Sequence, residues 1–132
     1  LKQLNTFLDC IPNPYETVVV GHNVLSFDLR FLMQRYMVNN IKPHPIIARA
    51  AQAKPWDGKV FDTMTAWAGY GNRVSLDKLC RALNIKSSKA GGMDGSQVWD
   101  YFQAGRIDEI QDYCLDDIVA TRQVHKRMTF QG

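Results

Sequence analysis

The sequence predicts an α/β fold that is rich in helix. Two observations carry this. Thr17-Val18-Val19-Val20 is a short β-branched run followed by polar residues and then by a segment with helical apolar spacing. Lys59-Val60-Phe61 repeats the pattern, because Asp62-Thr63 directly after it is a helix opening. At 132 residues the chain is at most one domain, 1–132.

Composition sets limits on function. A hydrophobic fraction of 45% is ordinary for a globular protein and argues against disorder. A formal charge of +3 permits a polyanionic partner without demanding one. Cys10, Cys80 and Cys114 are far apart and form no C-x-x-C pair, which points to reduced, mostly buried thiols and a cytoplasmic setting. No apolar run is long enough to span a membrane, and no signal peptide is visible. Trp56, Trp67 and Trp99 are expected in the core by default.

The elements follow in order. Leu1, Leu4, Leu8 and Ile11 form the stripe of a short amphipathic helix that Pro12-Asn13-Pro14 ends. Thr17–Gly21 reads as a buried strand, and a helix runs from about Ser26 to Val38. Residues 46–54 are Ala-rich and fit either a helical turn or a loop. Pro55-Trp56-Asp57-Gly58 is a turn, and Lys59–Phe61 is the second strand. Asp62 could be a metal ligand, but a strand end followed by Asp-Thr is ordinary capping chemistry, so it is read as the N-cap of a helix reaching Trp67. Ser75 caps a helix over Leu76–Leu83. Residues 86–92 form a polar, basic loop. Asp94-Gly95-Ser96 opens a helix to Gln103 with Val98 and Phe102 inward. Ala104-Gly105 separates it from the last helix, from about Arg106 to Met128, whose inward stripe is expected at Ile110, Cys114, Ile118 and Thr121.

Two stretches hold the candidate chemistry. Gly21-His22-Asn23-Val24-Leu25-Ser26-Phe27-Asp28 lies between strand and helix, at the carboxyl end of a strand where open α/β sheets place ligands. Asn23, Ser26 and Asp28 could equally be helix caps there. In the last helix, Tyr113 and Asp117 are four apart and share a face beside an apolar stripe. Asp108, Glu109, Asp112 and Asp116 read as solvated surface acids.

Together, G-H-N-x3-F-D and Y-x3-D resemble the second and third motifs of DEDD-type 3′→5′ exonucleases, which have the ribonuclease H-like (DnaQ-like) fold. The tyrosine resembles the DEDDy subclass. A histidine subclass would need His followed five residues later by Asp, and His22, His44 and His125 all lack it. The chain is similar in particular to the predicted exonuclease family related to the family B DNA polymerase proofreading domain. That resemblance extends through Phe61-Asp62-Thr63-Met64, Ser75–Ile85, Asp94–Trp99 and Gly105–Ile110, and covers roughly Tyr15 to Met128.

The resemblance implies hydrolysis of phosphodiester bonds from the 3′ end of a single strand, more often DNA, with two divalent cations, Mg²⁺ or Mn²⁺. Hard cations take oxygen ligands, so carboxylates are expected. Asp117 would bind the cation that carries the attacking water, Asp28 would help hold the second, and Tyr113 would orient the water. His22 and Asn23 would lie beside the terminal nucleotide, with Phe27 packing under the site. Arg30, Lys86 and Lys89 are candidate phosphate contacts or solvated charges. A polymerase or a replication or repair factor would be a fitting partner.

The first motif of the family, Asp-x-Glu on an opening strand, is absent from the sequence. The expectation is a fold truncated at the N-terminus, lacking its first three strands and keeping a residual parallel sheet, with weak or no activity alone. An inactive nucleic-acid-binding or protein-interaction module of the same fold, and an RNA-trimming exonuclease, are the competing readings.

Overall fold

The computed structural model describes residues 1–87 and 95–131. Lys89 and Asp94, with most of the expected basic loop, lie outside the described residues. The chain divides into two compact units, Leu1–Gly71 and Asn72–Gly132.

The first unit contains α1 (Lys2–Asp9), β1 (Val19–Gly21), α2 (Leu29–Val38), α3 (Pro45–Gln52), β2 (Val60–Asp62) and α4 (Thr63–Ala68). β1 and β2 form a parallel pair with Val19 opposite Val60, Val20 opposite Phe61 and Gly21 opposite Asp62. Leu8, Val24, Leu29, Tyr36, Ile46, Ile47, Ala50 and Val60 make the core. The buried Tyr36 hydroxyl donates to Asn5 Oδ1 at 2.7 Å and Asn5 Nδ2 donates to the Lys42 carbonyl at 2.9 Å, which moors α1. The ambiguous segment after His44 is a helix. Its cap is an imidazole, with His44 Nδ1 accepting from the Ile46 N–H at 3.1 Å, and Pro45 supplies a preset φ at the first helical position.

β1 is less buried than its valines suggest. Val19 turns toward the core with its register partner Val60, whereas Val18 and Val20 point outward and are exposed. Only one face of this two-stranded sheet packs on the core, so the period of two sends alternate valines to solvent. Trp56, Trp67 and Trp99 are likewise exposed rather than in the core. Trp56 instead packs edge-on against Tyr70, with ring centroids 5.8 Å apart.

The second unit contains α5 (Leu76–Ala82), α6 (Val98–Gln103) and α7 (Ile107–Met128). Ser75 caps α5 as expected, its Oγ accepting from the Lys78 N–H at 3.1 Å. Leu79, Cys80, Ala120 and Val124 form the core, with Val74, Leu76, Leu83, Ile85 and Met128 around it. Phe102, expected inward, is exposed and stacks on Trp99. Six residues make fewer than two turns, so α6 cannot bury Val98 and two aromatics together. No helix among the described residues is long and apolar enough to cross a membrane.

Candidate functional site

In the first unit, the register of the sheet positions the candidate residues. Gly21 and Asp62 are partners at the carboxyl ends of parallel strands. Beyond Gly21 the chain must leave the sheet at once. A Cβ on Gly21 would sit 2.7 Å from the Cβ of Val24, which is buried in the core, so only glycine fits. Asn23 then takes a left-handed conformation, φ 58° and ψ 31°, which Asn tolerates better than most residues. Val24–Asp28 closes as one wide π-helical turn that leads into α2.

Asp62 holds this turn. Its Oδ1 accepts from the Asn23 N–H at 2.8 Å and from the Met64 N–H at 3.0 Å, and its Oδ2 accepts from the Leu25 N–H at 3.4 Å. The residue is buried. The capping role expected of Asp62 is therefore present, but one carboxylate also satisfies two donors of the motif turn. Sequence reading found the cap and missed the clamp, because the clamp depends on a strand register that the residues alone do not reveal.

Thr63 makes a second tie. Its hydroxyl is fully buried, donates to the Gly21 carbonyl at 3.3 Å, and lies 2.8 Å from His22 Nδ1. The hydroxyl and Nδ1 are within hydrogen-bond distance, with the direction set by the imidazole tautomer. His22 is thereby fixed in orientation. The Ser26 hydroxyl donates to Asn23 Oδ1.

The capping alternative for the motif does not hold. Neither the Asn23 nor the Asp28 side chain makes a cap hydrogen bond to the turn or helix it precedes. Asp28 is exposed at the end of the turn. Phe27 is also exposed, 64%, and does not pack under the site. It stands on the outer side of the π turn, whereas Val24 takes the inner side.

In the second unit, the candidate residues lie on α7. Ile110, Tyr113, Asp117, Ala120 and Val124 recur at intervals of three and four, and Ala120 and Val124 are fully buried against α5. Tyr113 and Asp117 are half-buried on that same stripe. This corrects the expected one, since Cys114 and Ile118 are exposed. The thiols differ from expectation too, because Cys10 is exposed and only Cys80 is buried. Burial pushes the Cys80 thiol above its ordinary range, and the negative charges of Asp77 and Asp117 push it the same way. Asp117 thus acts electrostatically on the α5 face. The Thr121 hydroxyl donates to the Asp117 carbonyl at 2.7 Å. Asp108, Glu109, Asp112 and Asp116 are exposed, as are Arg30 and Lys86.

Asp28 and Asp117 offer the oxygen donors that Mg²⁺ or Mn²⁺ requires. The Asp62 carboxylate is engaged by backbone N–H groups. Among the described residues no three His, Cys, Asp or Glu side chains gather as a metal-holding group. Asp28 belongs to the first unit and Asp117 to the second, and each is a carboxylate of the right kind.

No curated protein and no solved structure matches the chain. The family described as predicted 3′-5′ exonucleases related to the exonuclease domain of PolB matches residues 2–132. The match spans the π turn with its Asp62 clamp and the Tyr113–Asp117 stripe alike, and the chain belongs to that family.

Proposed function

We propose that this chain carries the second and third motifs of a metal-dependent 3′→5′ exonuclease that acts on the 3′ ends of single-stranded DNA. One observation supports the reading most. In a chain of this exonuclease family, Asp62 and Thr63 fix the motif turn that leaves the carboxyl end of β1, and Asp28 lies exposed at the end of that turn.

In this reading Asp28, Tyr113 and Asp117 are the catalytic residues. Asp28 and Asp117 supply oxygen donors to two divalent cations, which would stabilise the attacking and leaving oxygens. Tyr113 orients water through its hydroxyl. His22, with its ring held on Thr63, and Asn23 with Phe27 contact the terminal nucleotide. A polymerase or repair factor in the cytoplasm is a fitting context. The sequence has no Asp-x-Glu, and weak hydrolysis by this chain alone is expected.

The missing Asp-x-Glu favours a second reading, an inactive module that binds nucleic-acid ends or a protein. Calorimetric titration with Mn²⁺, alongside degradation of 5′-labelled DNA and matched RNA, separates the readings. Under the nuclease reading, Mn²⁺ binding and any laddering fall together in Asp28→Ala and Asp117→Ala. Oligonucleotide binding that is indifferent to Mn²⁺ and to both substitutions would establish the inactive module. Faster loss of RNA than DNA would move the substrate to RNA, since the 2′-OH is what distinguishes the two.

A further inference from the structure

The outer face of α2 is apolar and cationic at once. Leu29 and Tyr36 bury the inner face, each 1% exposed. Opposite them Phe31 stands 55% exposed, four residues after the 64% exposed Phe27 of the π turn that leads into the helix, with Arg30, Gln34 and Arg35 exposed around Phe31. The segment 27–38 contains two arginines, Arg30 and Arg35, and one acid, Asp28, the residue read above as a cation ligand. Among the described residues neither guanidinium joins an ion pair; the pairs are His44–Asp9, Arg81–Asp77 and Arg106–Glu109. Two unneutralised arginines beside two exposed rings are unusual on a helix whose other face is packed. Surface aromatics normally cost solubility unless something covers them.

We infer that this face is the track along which a single strand runs on from the terminal nucleotide, with bases stacking on Phe27 and Phe31 and phosphates paired to Arg30 and Arg35. The inference rests on the nucleic-acid reading above. Charge selects the occupant: a polyanion with flat apolar bases satisfies both features, and an acidic peptide satisfies only the arginines. Backbone charge and base-to-ring stacking are the two interactions by which proteins hold single strands without reading sequence. The face is rigid, because Leu29 and Tyr36 pin the helix to the core. From Phe27 to Arg35 it extends about 12 Å at the helical rise per residue.

The test is fluorescence anisotropy of the 132-residue chain in EDTA, with labelled thymidine di- and dodecamers. Phe31→Ala should weaken dodecamer binding about tenfold, the loss of one base stack, and leave the dinucleotide nearly unchanged. Phe31→Leu should lose the same amount and Phe31→Tyr little, which separates stacking from loss of apolar area. Arg30→Ala/Arg35→Ala should lower the slope of log affinity against log salt by about 1.4, two phosphate contacts on a single strand. Trp56→Ala, exposed elsewhere on the same unit, should change none of these. If the wild type binds the dodecamer and the α2 variants bind equally well, the track is wrong and the exonuclease reading stands. If Phe31→Ala instead turns a sedimenting dimer into a monomer with DNA affinity intact, the face is a contact between copies and the inference is overturned. If the wild type binds neither oligomer, the nucleic-acid reading falls and the track falls with it.

Discussion

The Asn23 N–H donates to Asp62 Oδ1 over 2.8 Å, tying together residues 39 apart in sequence. The contact exists because the parallel register places Gly21 beside Asp62, so the chain leaving β1 passes directly over the carboxylate that starts α4. One buried acid thus joins the candidate site to the helix behind it.

Asp62→Ala should therefore cost more than an ordinary cap. It removes the acceptor of the Asn23, Met64 and Leu25 N–H groups, an expected loss of about 2–4 kcal/mol. Asp62→Asn keeps one acceptor oxygen and should lose less. Urea unfolding monitored by circular dichroism measures both. A loss below about 1 kcal/mol for Asp62→Ala would mean that the turn stands without its clamp.

Gly21→Ala tests the turn from the other side. The new methyl would lie 2.7 Å from Val24 Cβ and 2.9 Å from its Cγ2. Val24 is packed in the core, so the turn must shift, at an expected cost of about 1–3 kcal/mol. Trimming the partner does not help, because the nearest atom is a Cβ that alanine shares. Gly21→Ala/Val24→Ala should melt no higher than Gly21→Ala, and recovery in the double variant would place the strain elsewhere.

These two residues also show what the sequence could and could not reveal. Local chemistry was legible: Ser75 and Asp62 cap the helices they were expected to cap, and Gly21 ends a strand. Long-range placement was not. Whether Asp62 reaches Asn23 depends on register, which a strand of three residues does not specify. On α7 two stripes compete. The set through Cys114 and Ile118 is the more apolar, so periodicity favours it, yet α5 packs on the set through Tyr113, Asp117, Ala120 and Val124. Burial of an acid and a phenol on the packed stripe follows from which neighbour the helix meets. The buried-valine reading of β1 failed for a related reason, because one packed sheet face buries only alternate residues.

Arg127 closes the end of α5. Its Nη1 donates to the Leu83 carbonyl at 2.9 Å, where the helix leaves carbonyls without intrahelical partners. Arg127→Met should keep most of the stem packing, lose the charged donor, and cost about 1 kcal/mol by denaturant unfolding. No change would show that water serves that carbonyl equally well.

The last prediction concerns alkaline pH and has one group in each unit. Burial raises the Tyr36 hydroxyl above its ordinary 10.0, and burial, then Asp77 and Asp117, raise the Cys80 thiol above its ordinary 9.0. In both cases the folded state holds the proton more tightly than the unfolded chain. Each contribution is thus complete below the ordinary value and is lost as pH rises toward the raised one. Stability should be level from about pH 7 to 8.5 and then fall, first through Cys80 and then through Tyr36. Cys80→Ala should remove the earlier part of the decline. Tyr36→Phe should remove the later part, at a pH-independent cost of about 1 kcal/mol for the lost bond to Asn5. Thiol labelling gives a parallel check, because the exposed Cys10 and Cys114 should react promptly and the buried Cys80 only as the protein unfolds. A stability profile that stays flat to about pH 11, or three thiols that react at one rate, would contradict the packing of Cys80 between α5 and α7.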